Sequence, residues 1–383
     1  MTSRERIYTV LSGFIPDRVP VSLYKINPFD KENFWSKHEC FKNLLQKARE
    51  LQDTFQFYKP PTGFLFSSPD SVNLKKIEED DKTTSSKITE LIVETDLGPL
   101  TEIIEISDAR AHPWIEKPWI ESEKDIRKFL TLPYIPYQPD LSDFYTLEKN
   151  LREKGIMVVS LLNPVGVVGS LFAPGDFAQF AFDYPKLIME LLEKIYERAL
   201  HFYKYISSSI SEIIIRIKGA EYVTPPNLPV EYFHNIKKFF NEFVLRFDKP
   251  LIEILKKGNF NYICYHWHDG IEELLPLVLK LPIDIIEPIC NSVAISDRIL
   301  KIRKMVGDHI TIMGGIIAED LQFRKRFEIK NMVKECIIQG GKKGRFILIP
   351  SDIPEDIPIS SEEEENYIEF LESGVAFGKY PID

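Results

Sequence analysis

The chain has 383 residues, 44% of them hydrophobic, and a formal net charge of -10 from 48 basic and 58 acidic side chains. That length and apolar content allow a sizeable buried core, while the acidity, without a basic cluster, argues against a nucleic-acid partner and an anionic membrane surface. No apolar run reaches the roughly 18 residues that a membrane span needs. The opening MTSRERIYTVLSGFIPDRVP is charged and has no long apolar stretch before a small-residue cleavage site, so it does not read as a secretory leader. Cys40, Cys264, Cys290 and Cys336 lie far apart without a CxxC pair, a pattern of a reducing cytoplasm rather than a disulfide framework.

Thr2 with Glu5 predicts a capping box opening a helix through Ser12. Arg18–Tyr24 (RVPVSLY) reads as a first strand, Lys42–Gln52 as a helix and Thr54–Tyr58 as a second strand. Ser86–Val93 and Leu100–Ile106 alternate in polarity around Thr95-Asp96-Leu97-Gly98-Pro99, the signature of a β-hairpin, here inserted over the fold. From Ile156 onward apolar strands alternate with amphipathic helices. The predicted strands are Met157–Leu162, Glu212–Ile217, Tyr262–Tyr265, Asp284–Glu287, Thr311–Met313 and Phe346–Ile349, with helices such as Tyr184–Ser207 and Val230–Lys257 between them. The count reaches eight, and their Val, Ile and Leu content fits burial on both faces. The expectation is an α/β fold, a (β/α)8 TIM barrel over residues 1–383 with an inserted hairpin. A doubly wound open sheet is the alternative, weakened because no GxGxxG follows the first strand. Glu362–Glu365 reads as the charged first turn of a last helix.

Several segments, in order and spacing, resemble the uroporphyrinogen decarboxylase superfamily, which includes corrinoid-linked methyltransferases. TSRERIYTVLSGFIPDRVPV is similar to the family's opening, ETDLGPLTE to its hairpin and IEKPWIESEKDIRKF to the segment after it. GDFAQFAFDYPKLIMELLEKI is similar to its central helix, EYVTPPNLPVEYF to its E-Y-x-S/T-P-P stretch and YHWHDG to its metal motif. MGGI and IPSDIPEDIP resemble its last two strand ends. Two departures stand out. Where the decarboxylases carry an arginine motif for substrate carboxylates, this chain reads SLYKINPFD, with Lys25 and no Arg. Where thiol-methylating relatives carry His-x-Cys and a late Cys, it has His266, His268 and Ser351.

His266 and His268 close a predicted strand, and residues i and i+2 share a face, so both imidazoles can meet one spot at the carboxyl end of a barrel strand. Such a pair starts a zinc site or forms a hydrogen-bonded pair without metal; the resemblance points to zinc. Glu221, Glu287 and Asp352 each lie at a strand end and can supply the third ligand, Glu221 being preferred over a role in orienting a histidine. A zinc held by imidazoles and a carboxylate is a hard Lewis acid suited to an oxygen. The resulting expectation is a zinc-dependent methyltransferase that demethylates a small methoxylated compound and passes the methyl group to a corrinoid protein. A tetrapyrrole decarboxylase and a non-catalytic binding relative are the alternatives. Tyr24, Asn27, Tyr58, Asn163, Tyr222, Asn291 and Asp352 are the expected substrate contacts, with Phe172 also near a strand end; loop capping is the bland role for Asn163 and Asn291. Trp267 and Cys290 read as packed residues. The resemblance also implies a cytoplasmic homodimer with a corrinoid protein docking at the barrel mouth.

Overall fold

Apolar strands that alternate with helices pair in parallel, because the helices cover both faces of the sheet. The computed structural model describes residues 1–81, 86–107, 113–225, 227–228, 230–257, 261–268, 270–354 and 356–382. Eleven strands are formed among these residues: β1 (Thr54–Tyr58), β2 (Leu74–Asp81), β3 (Ser86–Val93), β4 (Leu100–Ser107), β5 (Trp114–Lys117), β6 (Gly155–Leu162), β7 (Ile214–Lys218), β8 (Tyr262–His266), β9 (Ile285–Glu287), β10 (Thr311–Gly314) and β11 (Phe346–Leu348). β1 and β6 to β11 form a curled, seven-stranded parallel sheet in that order. Its strands are those expected from the sequence, with bounds moved by at most two residues.

The eighth expected strand is not formed. Arg18–Tyr24 makes only isolated bridges, Arg18 to Lys379 and Val21 to Leu348. Pro20 has no N–H for a ladder, and side chains take the donors that a strand would offer: Asp53 Oδ2 accepts the Val21 N–H at 3.0 Å and Gln52 Oε1 the Leu23 N–H at 3.2 Å. The segment still touches both edges of the sheet. Leu348 N–H donates to Pro20 O at 2.9 Å, Ser22 N–H to Leu348 O at 3.0 Å and Asp53 N–H to Val21 O at 2.7 Å.

Asp53 is fully buried and organises this seam. Arg6 Nη1 reaches its Oδ1 at 2.6 Å and Arg18 Nη1 its Oδ2 at 2.7 Å. Asp17 steadies Arg6 from outside through Nε at 2.6 Å and Nη2 at 2.8 Å. Arg6, Asp17 and Arg18 are three of the five charged residues of the opening motif, and their work in this fold is a buried ion-pair clamp. The clamp's helix, Ser3–Leu11, starts with the expected capping box, Thr2 Oγ1 accepting from the Glu5 N–H.

The expected hairpin is the middle of a larger sheet. β2 to β5 form a four-stranded antiparallel sheet apart from the parallel one. Its outer strands, LKKIEEDD and WIEK, carry too many charges to show strand alternation in sequence. At the β3–β4 turn the Thr95 hydroxyl donates to Gly98 O at 2.6 Å and accepts the Leu97 N–H, and Gly98 takes a φ of +101° that a side chain would strain. Two long helices flank β7. Pro185–Ser209 is continuous, as expected. The expected helix Val230–Lys257 is broken into a 3-10 turn (Val230–Asn235), a short α segment (Ile236–Phe240), a π turn (Asn241–Leu245) and Arg246–Lys256. Pro250 cannot donate to the carbonyl of Arg246 and crowds it, which disturbs the ladder on its N-terminal side. The last helix, Ser361–Phe377, begins with the acidic turn read from sequence. Among the described residues no helix is long and apolar enough to cross a membrane.

Asp53→Ala leaves two guanidinium groups facing each other without their carboxylate and should cost about 3–5 kcal/mol of unfolding free energy. Urea denaturation reads this. A loss below about 1 kcal/mol would mean that the backbone bridges to β11 hold the segment alone.

Candidate functional site

Strand register brings one row of inward side chains together. Ser160 of β6 pairs with Arg216 of β7, Arg216 with Cys264 of β8, and Cys264 with Ile285 of β9. Two residues further along, Leu162 pairs with Lys218 and His266 with Glu287. Parallel strands in register point these side chains to one face, so the row ends at the carboxyl side of the sheet with Lys218, His266 and Glu287.

Arg216 is the centre of this site. Its side chain is 6% exposed and lies in the apolar run IIIRIK. A guanidinium cannot shed its charge, so it must be paired where it is buried. Nε donates to Glu287 Oε1, and Nη2 donates to the Tyr24 hydroxyl at 2.5 Å. Nη2 also stands 2.7 Å from His266 Nδ1. Its flat face lies over Tyr24 and Phe57. Burial alone would raise the Glu287 carboxyl; the Arg216 charge, with His266, overrides it and holds it at about 2. Burial, and then the same arginine, pushes His266 down to about 4, so its imidazole is neutral. Arg216 can only donate, so Nδ1 accepts and the imidazole proton sits on Nε2. Tyr24 adopts a φ of +56°, a left-handed backbone that costs a non-glycine residue about 1–2 kcal/mol; its two buried partners hold it there.

The two histidines do come together. Their ring centroids are 4.5 Å apart in a T-shaped contact, His266 buried and His268 exposed. The third expected ligand does not join them. Glu221 Oε2 accepts the N–H of Gly219 at 2.7 Å in the loop after β7. Gly219 itself has a φ of +123°, and a Cβ there would collide with Asn163 Oδ1. Glu287 adjoins His266 but is engaged by Arg216. Asp352 lies 3.5 Å from Lys25 Nζ with its side chain half exposed. Among the described residues no three His, Cys, Asp or Glu side chains are gathered so as to hold a metal ion. As folded, this donor set does not fit the three-ligand zinc site expected from the sequence: Nδ1 of His266 is taken as an acceptor, and each carboxylate serves another group.

Of the expected substrate contacts, Tyr24 is in the site. Tyr222 lines a cavity of about 290 Å³ beside Glu221 and Phe172. The others build structure. Asn163 caps the helix Pro164–Gly169, its Oδ1 accepting the Gly166 N–H at 2.7 Å. Asn291 Oδ1 accepts the Ile299 N–H at 2.9 Å and its Nδ2 donates to Gln339. Asn27 holds its own loop through the Phe29 N–H and donates to Gln56. Tyr58 packs on Phe144. Trp267 is fully buried against Tyr265, as its strand parity predicts. Ser351 Oγ accepts the Ala318 N–H.

No protein-family model matches the chain, and no curated protein matches it in sequence. Its fold does have solved counterparts. The chain is similar to a methyltransferase from Methanosarcina mazei, with a TM-score of 0.57 and 12% identity over 98% of this chain and 99% of that one. A B12-independent methionine synthase from a Shewanella species, in complex with selenomethionine, gives a TM-score of 0.41 and 13% identity over 81% and 78% of the two chains. The first likeness shows a shared fold over essentially the whole length.

Arg216 and Asp248 were not anticipated from the sequence, and both left a signal there. Arg216 interrupts an apolar strand. Asp248 stands on the apolar stripe of its helix, with Val244, Leu251, Ile252 and Leu255, where the helical period calls for a hydrophobic residue. Its Oδ2 accepts from Tyr265 Oη at 2.6 Å and Asn163 Nδ2 at 2.9 Å, and burial raises it to about 7. The mouth also carries unexpected positive charge. Lys218 is half buried, and its ammonium is pushed down by burial and then by Arg216, with Lys59 and Lys25 adding to the repulsion.

Glu287→Gln removes the charge opposite Arg216 and should destabilise the chain by about 3–5 kcal/mol, whereas the double replacement Arg216→Met, Glu287→Leu should cost far less; denaturation of the three variants compares them. Asp248 is held neutral by the fold, so its contribution to stability is present below about pH 4 and is lost as pH rises through about 7. The melting temperature of wild type should therefore fall across that window relative to Asp248→Asn. Parallel curves for the two proteins would refute the assignment.

Proposed function

We propose that the chain is a methyltransferase that takes a methyl group from a small methoxylated compound and passes it to a corrinoid protein docking at the carboxyl ends of the strands. The observation that carries this reading is the buried cluster of Arg216, Glu287, Tyr24 and His266, set where barrel enzymes place their chemistry. The full-length fold likeness to a methyltransferase and the segment-by-segment sequence resemblance support it.

In this reading the methyl–oxygen bond breaks with its electron pair on oxygen, and the nucleophilic acceptor takes the carbon. The developing oxyanion needs fixed donors. His266 offers its Nε2 proton because Arg216 fixes the tautomer from the other side of the ring. Lys218, near the strand end, offers a positive charge. Glu287 and Tyr24 hold Arg216 in place, and through it the imidazole.

Zinc enters only as a binding question. Glu221, Glu287 or Asp352 would have to leave its present partner to join His266 and His268. Metal analysis of wild type beside His266→Ala answers it: stoichiometric zinc lost in the variant means that the pocket rearranges, and a zinc-free active protein means that imidazole donation suffices.

The test is conversion of 4-methoxybenzoate to 4-hydroxybenzoate with reduced cobalamin as acceptor, followed by chromatography and by the cobalt spectrum. His266→Ala should lower the rate about 10²–10³-fold. The proposal fails if folded wild type yields no demethylated product from a panel of methoxylated acids. The lysines at the mouth also suit a polyanionic porphyrinogen, the second reading, and carbon dioxide release from that substrate separates the two. We also propose that the chain acts as a cytoplasmic homodimer, for which light scattering gives the mass.

A further inference from the structure

A cavity of about 480 Å³ lies between the small antiparallel sheet and the end of β6. Ser160 and Leu162 face it from the parallel sheet, and Leu91 and Glu102, register partners on β3 and β4, face it from the small one. Ser160 is also the register partner of Arg216, so the cavity begins beside the buried cluster. The volume is that of a small-molecule site.

One wall is built at a conformational cost. Leu65 and Phe66 have φ of 51° and 63°, two consecutive left-handed residues without a glycine. The turn is closed by Phe64 N–H to Ser67 O at 3.1 Å and Ser67 N–H to Phe64 O at 3.0 Å. Such a turn favours Asn-Gly, and each bulky residue there is strained. What the apolar pair supplies instead is shape. Phe66 is anchored on Phe202, Phe64 lies against Trp119, and Leu65 faces the cavity. Backbone strain held in place by its surroundings is a mark of ligand sites.

The wall is mostly apolar, with two ionisable groups. Lys59 is exposed and makes no ion pair among the described residues. Glu102 is half buried; burial raises its carboxyl to about 7 against the pull of the Trp119 indole N–H, so near neutrality much of it keeps a proton to donate. Glu102 is the last residue of the ETDLGPLTE hairpin segment, a motif that the buried cluster does not use.

We infer that this cavity is a binding site for a largely apolar small molecule with an anionic group for Lys59 and a neutral acceptor oxygen for Glu102. That the occupant is the methyl donor rests on the function proposed above; that the cavity binds such a molecule does not.

Calorimetry on the full chain with 4-methoxybenzoate and with anisole, its uncharged analogue, tests this. Wild type should bind the acid, and Lys59→Ala should weaken it about tenfold while leaving anisole unchanged. Filling the cavity with Leu91→Trp, or from the opposite wall with Ser170→Phe, should weaken both ligands about a hundredfold; the melting curve shows which variants remain folded. The inference is overturned if wild type binds neither probe at millimolar concentration, or if a folded cavity-filled variant binds as wild type does. Binding without methyl transfer removes the proposed function alone. Methyl transfer that survives in the folded cavity-filled variants removes only the assignment of this cavity to the methyl donor.

Discussion

A guanidinium in the middle of an apolar strand constrains everything around it. Arg216 cannot lose its proton, and its position on β7 gives it no route to water. Glu287 must be buried with it, two strands away, and must stay ionised although burial opposes that. Tyr24 must turn into a left-handed backbone to bring its hydroxyl to Nη2. His266 must remain neutral, because a second positive charge beside the first has no compensation. The chemical character of the cluster follows from that one side chain: a neutral imidazole, a permanent anion and an ordered phenol. Buried ion pairs of this kind are poor sources of stability, so their presence at strand ends is better explained by positioning than by holding the fold together.

The same distinction sorts the motifs. The charged opening of the chain forms a clamp on Asp53 at the seam of the parallel sheet, next to the start of β1 and away from the carboxyl ends that carry His266 and Glu287. Its pattern is demanding because two arginines and two carboxylates must interlock with backbone donors. YHWHDG, in contrast, delivers two imidazoles to the pocket and sends the intervening Trp267 into the packing between sheet and helices. Loss of the first would therefore affect folding.

Strand identity from β1 and from β6 onward was legible because Val, Ile and Leu runs bounded by polar turns have few other solutions. Two elements were not. Arg18–Tyr24 has strand composition, but Asp53 and Gln52 take its donors, and nothing within the segment announces partners thirty residues away. β2 and β5 are charged edge strands, which lack the alternation that a half-buried strand shows. At the site, strand parity gave the histidine pair and the outward Trp267. The third ligand was chosen by proximity to a strand end, and such proximity does not say which atom a carboxylate will serve; Glu221 serves its own loop. Arg216 was readable as a charge out of place, though not its partners. Asn163 and Asn291 show the opposite error, since a short polar side chain beside a strand end is more often a cap than a contact.

The seam around Asp53 has a consequence in time. Pro20 and Ser22 bond to Leu348, and Val19 N–H donates to Gly378 O at 2.8 Å. These partners leave the ribosome more than three hundred residues after the segment itself, which at about 5–20 residues per second is a wait on the order of half a minute. Val19, Val21 and Leu23, all fully buried in the finished fold, are without their final cover for that interval. Arg6, Arg18 and Asp53 all precede the first strand in the chain, so the clamp can close early and tie the apolar segment to the start of β1. The ion pairs that substitute for a strand ladder can thereby hold this segment at the start of β1 while its remaining partners are still being made.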